Sequence, residues 1–143
     1  MSLIVLDASV AVKWFLPEAR ETLTIEAKAL LNSYGNSDVE FIVPDLFWVE
    51  FAGVLWKAIR RNHYPKPSAE AALLSLTQFN FPTFPSLNLL DKAFQIATGF
   101  DRTVYDSVYV ALAEQTKSQL ITADEKLANS LAAYFPVKWL GSI

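Results

Sequence analysis

The feature that most constrains this chain is a rhythm in which short aliphatic runs, each too short for a helix, alternate with longer stretches of helical period. Leu3-Ile4-Val5-Leu6, Phe41-Ile42-Val43, Gln119-Leu120-Ile121-Thr122 and Val137-Lys138-Trp139-Leu140 read as strands. A strand that is apolar at consecutive positions, not only at alternate ones, must be covered on both faces, which is the condition of a strand in a parallel sheet. Phe81 to Pro85 holds two prolines and fits only a short or edge strand. Helices are predicted from Glu18 to Tyr34 with Gly35 as the stop, from Pro44-Asp45 to Asn62, from Ala69 to Phe79 with Ser68 as the cap, from Leu87 to Gly99, from Thr103 to Lys117, and from Asp124 to Tyr134. The expected fold is α/β: a doubly wound, mostly parallel sheet of about five strands flanked by helices, in one domain over residues 1–143.

The same rhythm delivers carboxylates. Asp7 follows directly on the first strand, with Ser9 two residues on, and Asp124 lies two residues past Thr122. In open α/β sheets the carboxyl ends of the strands form the edge where ligands bind, because helix N-termini converge there. Asp106 sits in Thr103-Val104-Tyr105-Asp106, a helix start that reads equally well as a capping box. Asp7, Ser9 and Asp124 can likewise serve as simple caps.

Glu50 resists that explanation. It is the only charge in Leu46-Phe47-Trp48-Val49-Glu50-Phe51-Ala52-Gly53-Val54-Leu55-Trp56, so its neighbours are apolar on every helical face. A buried ionised carboxylate must be neutralised, paired or bound to a cation, and Lys13 and Arg60 are the candidate partners for an ordinary salt bridge. Carboxylates gathered at one sheet edge repel one another unless a hard cation joins them. Mg²⁺ or Mn²⁺ takes such oxygen ligands, activates a bound water and stabilises a leaving phosphodiester oxygen. The pattern therefore points to metal-assisted phosphodiester hydrolysis.

Composition removes several competitors. There are no cysteines, so thiol nucleophiles, disulfides and cysteine-ligated zinc are excluded; the single histidine, His63, rules out a multi-histidine metal site and a histidine-dependent hydrolytic triad. Four scattered glycines form no phosphate-binding loop. A net charge of -3 gives no global attraction for a polyanion, and the local exception is Lys57, Arg60, Arg61, His63 and Lys66. There the helix dipole and solubility explain the charges as readily as RNA phosphate contacts by Lys57, Arg60 and Arg61. The aromatic residues Trp14, Phe47, Trp48, Phe51 and Trp56 read as core or interface. An apolar fraction of 52% points to a homodimer, a protein partner, or both. Without a spanning apolar segment or a signal-peptide layout, a soluble, cytoplasmic protein is expected.

These residues resemble the PIN-domain ribonucleases, and in particular the single-domain VapC-like toxins of bacterial toxin-antitoxin pairs. The resemblance is carried by Val5-Leu6-Asp7-Ala8-Ser9-Val10-Ala11-Val12-Lys13-Trp14-Phe15, by Glu50 after Pro44-Asp45, by Tyr105-Asp106-Ser107-Val108-Tyr109-Val110-Ala111-Leu112-Ala113-Glu114, and by Leu120-Ile121-Thr122-Ala123-Asp124-Glu125-Lys126-Leu127. It implies a Mg²⁺-dependent endoribonuclease, with Mn²⁺ as substitute, whose metal-binding acids fall on Asp7, Glu50, Asp106 and Asp124. Ser9 and Thr122 would be supporting hydroxyls, and Lys13 could pair with a crevice acid or touch a phosphate. It further implies RNA as substrate, a second copy of the chain as partner, and a small antitoxin that blocks the crevice. Ser107 departs from the family pattern, where alanine is commoner.

Two other readings remain open on the residues alone. An aspartyl-phosphate phosphatase also presents its nucleophile after a strand, but it wants a second aspartate where this chain has Ser9. A non-catalytic protein-binding module would use the acids only as caps and salt bridges, which leaves Glu50 unexplained.

Overall fold

The computed structural model describes residues 2–143. Five strands form one sheet: β1 (Ser2–Leu6), β2 (Val39–Pro44), β3 (Thr83–Phe84), β4 (Gln119–Thr122) and β5 (Val137–Trp139). Their order is β3-β2-β1-β4-β5, and all four pairings are parallel. The chain thus builds outward from β1 to one side, then returns to its other side with β4, leaving a switch point between β1 and β4. The consecutive residues Ile4, Val5 and Leu6 are all buried, as are Leu120, Ile121 and Thr122, so both faces of the central strands are covered.

Seven helices supply that cover: α1 (Ala8–Ala11), α2 (Thr24–Gly35), α3 (Leu46–Arg60), α4 (Lys66–Thr77), α5 (Leu90–Phe100), α6 (Val104–Gln115) and α7 (Glu125–Leu131). Helix α6 packs on β1, β2 and β4 and is buried without a break from Ser107 to Ala113. Such a run costs nothing in unsatisfied groups, because the Ser107 hydroxyl donates to the Thr103 carbonyl at 2.7 Å. The serine that replaces the commoner alanine therefore fits. Phe41, Tyr34, Phe79 and Phe81 form an aromatic cluster beside β2, with Tyr34 stacked on Phe41 at 4.9 Å.

Several helix ends differ from the sequence expectation. The helix expected from Glu18 is a 3₁₀ turn (Glu18–Arg20), an extended Glu21, and then α2, which starts only after Leu23 with its left-handed backbone (φ 58°). The break lets the Glu21 carboxylate reach the buried Lys13 ammonium at 3.2 Å, a long-range pairing invisible to helical periodicity. Helix α2 ends at Gly35, but without a left-handed glycine, and Gly99 lies inside α5; the left-handed residues fall on Ser37 and Asp101. Ser68 does not cap α4, which begins two residues earlier behind Pro65, with Pro67 in the first turn where its missing N–H costs nothing.

Candidate active site

Parallel strands all point their carboxyl ends to one edge, so the helices that follow begin there. Asp7 is the N-cap of α1 and is 9% exposed. Its Oδ1 accepts from the Ser9 N–H at 3.2 Å and its Oδ2 from the Thr122 hydroxyl at 2.8 Å, tying the end of β1 to the end of β4 across the switch point. The Thr122 hydroxyl also accepts from the Asp124 N–H, and the Ser9 hydroxyl from the Ala123 N–H, both at 3.1 Å. Asp124 in turn caps α7 through the Leu127 N–H at 3.2 Å and is exposed. Asp106 is half-buried in the first turn of α6, where Thr103 accepts from its N–H at 3.0 Å.

Capping and clustering therefore coexist. Asp7 and Asp124 are caps, yet a carboxylate has lone pairs to spare after one capping bond. Glu50 is half-buried, not enclosed as its apolar neighbours suggested, because α3 turns Val49 (74% exposed) and Trp56 (54% exposed) outward. Among the described residues neither suggested salt-bridge partner meets it: Lys13 bonds Glu21, and the Arg60 guanidinium lies 5.0 Å from the centre of the Trp56 ring. Its partner is Tyr109, whose hydroxyl donates to Oε1 at 2.6 Å. From the sequence Tyr109 carries no role of its own; the available signal is its position three residues after Asp106, on the same helical face.

The charges of these acids are felt across the crevice. Burial raises the pKa of Asp7, against the bonds from Thr122 and Ser9, and the nearby Asp106 raises it further. Burial likewise raises Glu50, opposed by the Tyr109 bond and reinforced by Asp7 and Asp106. Asp106 is raised by burial and by Asp124, with Thr103 and Arg102 pulling the other way. Tyr109 is held firmly protonated by burial and by the carboxylates of Asp7 and Glu50. A phenol locked in its neutral form is a fixed donor to Glu50.

The donor set is all oxygen, which suits a hard divalent cation that keeps several waters. Among the described residues no three His, Asp or Glu side chains are preassembled around one ion-sized point. The arrangement is a group of acids that repel at a distance, with Asp7 held by two donors and Glu50 by one. Lys57, Arg60 and Arg61 lie apart from it, in the last turns of α3. The two Ser9 bonds fix it as a neutral linker, so no second acid stands near Asp7 in the place a phosphatase reading needs.

Fold and site together define an α/β domain with acidic residues at the carboxyl edge of a parallel sheet. A family model for the PIN domain matches residues 4–130, and the chain belongs to that family. It is similar to Ribonuclease VapC3 of Pyrobaculum aerophilum, at 32% identity over 132 residues, covering 91% of this chain and 95% of that one. Among solved structures, PAE2754 from Pyrobaculum aerophilum superposes with a TM-score of 0.71 at 18% identity, over 99% of this chain and 91% of that one. A toxin-antitoxin complex from Klebsiella pneumoniae gives 0.65 at 15% identity, over 94% and 95%. Among the described residues no helix is long and apolar enough to cross a membrane.

Proposed function

We propose that this chain is a metal-dependent endoribonuclease, a hydrolase of RNA phosphodiester bonds, acting as the toxin of a toxin-antitoxin pair and built as one domain over residues 1–143. The observation that carries the reading is Asp7, buried at the switch point with its carboxylate held by Ser9 and Thr122, in a chain 32% identical to a ribonuclease over nearly its full length. Asp7, Asp106 and Asp124 would hold Mg²⁺, or Mn²⁺ in its place, with Glu50 completing the set. When bound, the ion would acidify a water and neutralise charge on the phosphate oxygens.

The chain's own groups would then act as follows. Thr122 and the Ser9 N–H hold the Asp7 carboxylate in one orientation. Glu50, kept in place by the Tyr109 hydroxyl, orients the attacking water. The water oxygen bonds to phosphorus as the bond from phosphorus to the leaving ribose oxygen breaks; the water's proton is lost to solvent, and solvent supplies the proton that the leaving oxygen takes up. Lys13, buried and engaged with Glu21, is not free for phosphate binding. The exposed Val49, Trp56 and Phe94 support partner surfaces, for a second copy of the chain and for an antitoxin.

An RNA cleavage assay tests this. Purified protein should cut RNA with Mg²⁺ or Mn²⁺, stop in EDTA, and be inactive as Asp106→Asn. Undiminished, metal-independent cleavage by the variant would remove the reading.

A further inference from the structure

Outside the acidic crevice, one cleft gathers positive charge in a chain whose net charge is -3. It has a volume of about 430 Å³, and its lining includes Arg20, Glu21, Val54, Lys57, Arg61 and His63. Arg20 comes from the 3₁₀ turn before α2, and the others, apart from Glu21, from α3 and the residues just after it. The cations have no acid to answer them. Among the described residues the ion pairs are Lys13–Glu21, Lys28–Glu18 and Lys92–Glu114, so Arg20, Lys57 and Arg61 are unpaired. Glu21, the one acid in the lining, is already engaged with the buried Lys13.

Helix capping does not account for this cluster. The end of α3 closes on its own backbone: Asn62, left-handed at φ 56°, donates its N–H to the Ile59 carbonyl at 3.0 Å, and His63 donates to Ala58 at 2.9 Å. The helix dipole favours Lys57 and Arg61 in the last turn and cap of α3, but Arg20 comes from another segment, so the period of α3 does not explain its place in the cleft. Three like charges brought to one cleft repel one another unless an anion is taken between them.

The position of the cleft selects the anion. Glu50, Val54, Lys57 and Arg61 follow at spacings of four, three and four residues, which is one face of α3. Lys57 lies about 10 Å and Arg61 about 16 Å beyond Glu50 along the helix axis. From the cleft, therefore, a continuous strand of phosphates leads along α3 to the acids. We infer that the Arg20–Lys57–Arg61–His63 cleft binds the backbone phosphates of single-stranded RNA to one side of the bond that is cut. The inference rests on the ribonuclease reading above and extends it to the placement of the substrate.

Binding, not cleavage, tests it. In the Asp106→Asn background with Mg²⁺, a fluorescent single-stranded RNA is titrated by anisotropy across a salt series, with and without Arg20→Ala, Lys57→Ala and Arg61→Ala together. The triple variant should bind tenfold or more weakly, and the slope of log affinity against log salt should fall by about two, since each single-strand phosphate contact contributes roughly 0.7. Lys92→Ala, Lys117→Ala and Lys138→Ala together remove the same charge elsewhere and should change affinity by less than about twofold, because exposed charges beyond a Debye length are screened. Unchanged affinity and slope in the first triple variant would overturn the proposal. So would displacement of the RNA by an oligoglutamate peptide at equal charge concentration, which would assign the cleft to an acidic protein segment. Failure of the ribonuclease reading would be seen separately, as wild-type cleavage independent of metal and of Asp106, and it would leave the binding comparison readable.

Discussion

The two ends of the sheet are built from the same strands and could hardly differ more. At the carboxyl edge burial raises the pKa of Asp7, Glu50 and Asp106, each with a further push from a neighbouring carboxylate, and a chain of hydrogen bonds runs through Ser9, Thr122 and Asp124. At the amino edge the strands open onto a cavity of about 900 Å³, lined by apolar residues such as Leu3, Ile25 and Leu30 with a single acid, Glu26. Volume does not mark the chemistry here. Strand direction does: in an all-parallel sheet the helix N-caps converge on one edge only, and the acids that cap also become available to a ligand.

The largest expected effect separates those two edges. Asp7→Asn should lower RNA cleavage by about a thousandfold or more, as expected for loss of a group that positions charge at the reacting phosphate. Glu26→Gln, a carboxylate of the opposite edge, should leave it within about twofold of wild type on the same assay, because screening removes its influence at that distance. Equal losses in both variants would erase the distinction.

Next come the residues that hold the acids. Thr122→Val removes the donor to Asp7 and Tyr109→Phe the donor to Glu50, and each should cost about 10- to 100-fold in activity or in divalent-cation affinity. Tyr109→Phe should affect Glu50 alone, and Thr122→Val should alter Asp7 and Asp124 together, since its hydroxyl serves both.

A pH series addresses the cost of assembling the acids. The folded-state pKa values of Asp7, Glu50 and Asp106 lie above their ordinary values, so the native chain retains protons that the unfolded chain has released. Their stabilising contribution is complete below the ordinary carboxylate range and is lost as pH rises through the raised values. Metal-free protein should therefore melt at a lower temperature at pH 7 than near pH 5, by a margin that shrinks in Asp7→Asn and on adding Mg²⁺. A melting temperature that rises over that interval would contradict the raised values and the burial that causes most of them. The smallest effect is expected at Thr103→Ala, which removes the cap of α6 and should cost about 1 kcal/mol in a denaturant titration with little change in cleavage.

The strands were legible because burial on both faces leaves uninterrupted aliphatic runs, and β1, β2 and β4 each carry one. Asp7, Asp106 and Asp124 were legible because each follows a strand or opens a helix at a countable spacing, and Glu50 because it is the only charge in an apolar helical stretch. What escaped was set by tertiary contact. The break before α2 lets Glu21 reach Lys13, and Leu23 takes up a left-handed backbone that no propensity for leucine foretells. Glu50 looked fully enclosed because a helical projection counts apolar neighbours without knowing which face meets solvent, and Val49 and Trp56 meet it. Tyr109 went unassigned because its hydroxyl partner lies on another helix, 59 positions away.

The central claim is that the carboxyl-edge acids form a cation site organised by Asp7. Isothermal titration of Mn²⁺ into the metal-free protein at neutral pH tests it most directly, with Asp7→Asn and Glu26→Gln in parallel. Saturable binding by wild type and Glu26→Gln, abolished in Asp7→Asn, is the predicted result. Binding that survives Asp7→Asn unchanged, or no binding by the wild type, would contradict it.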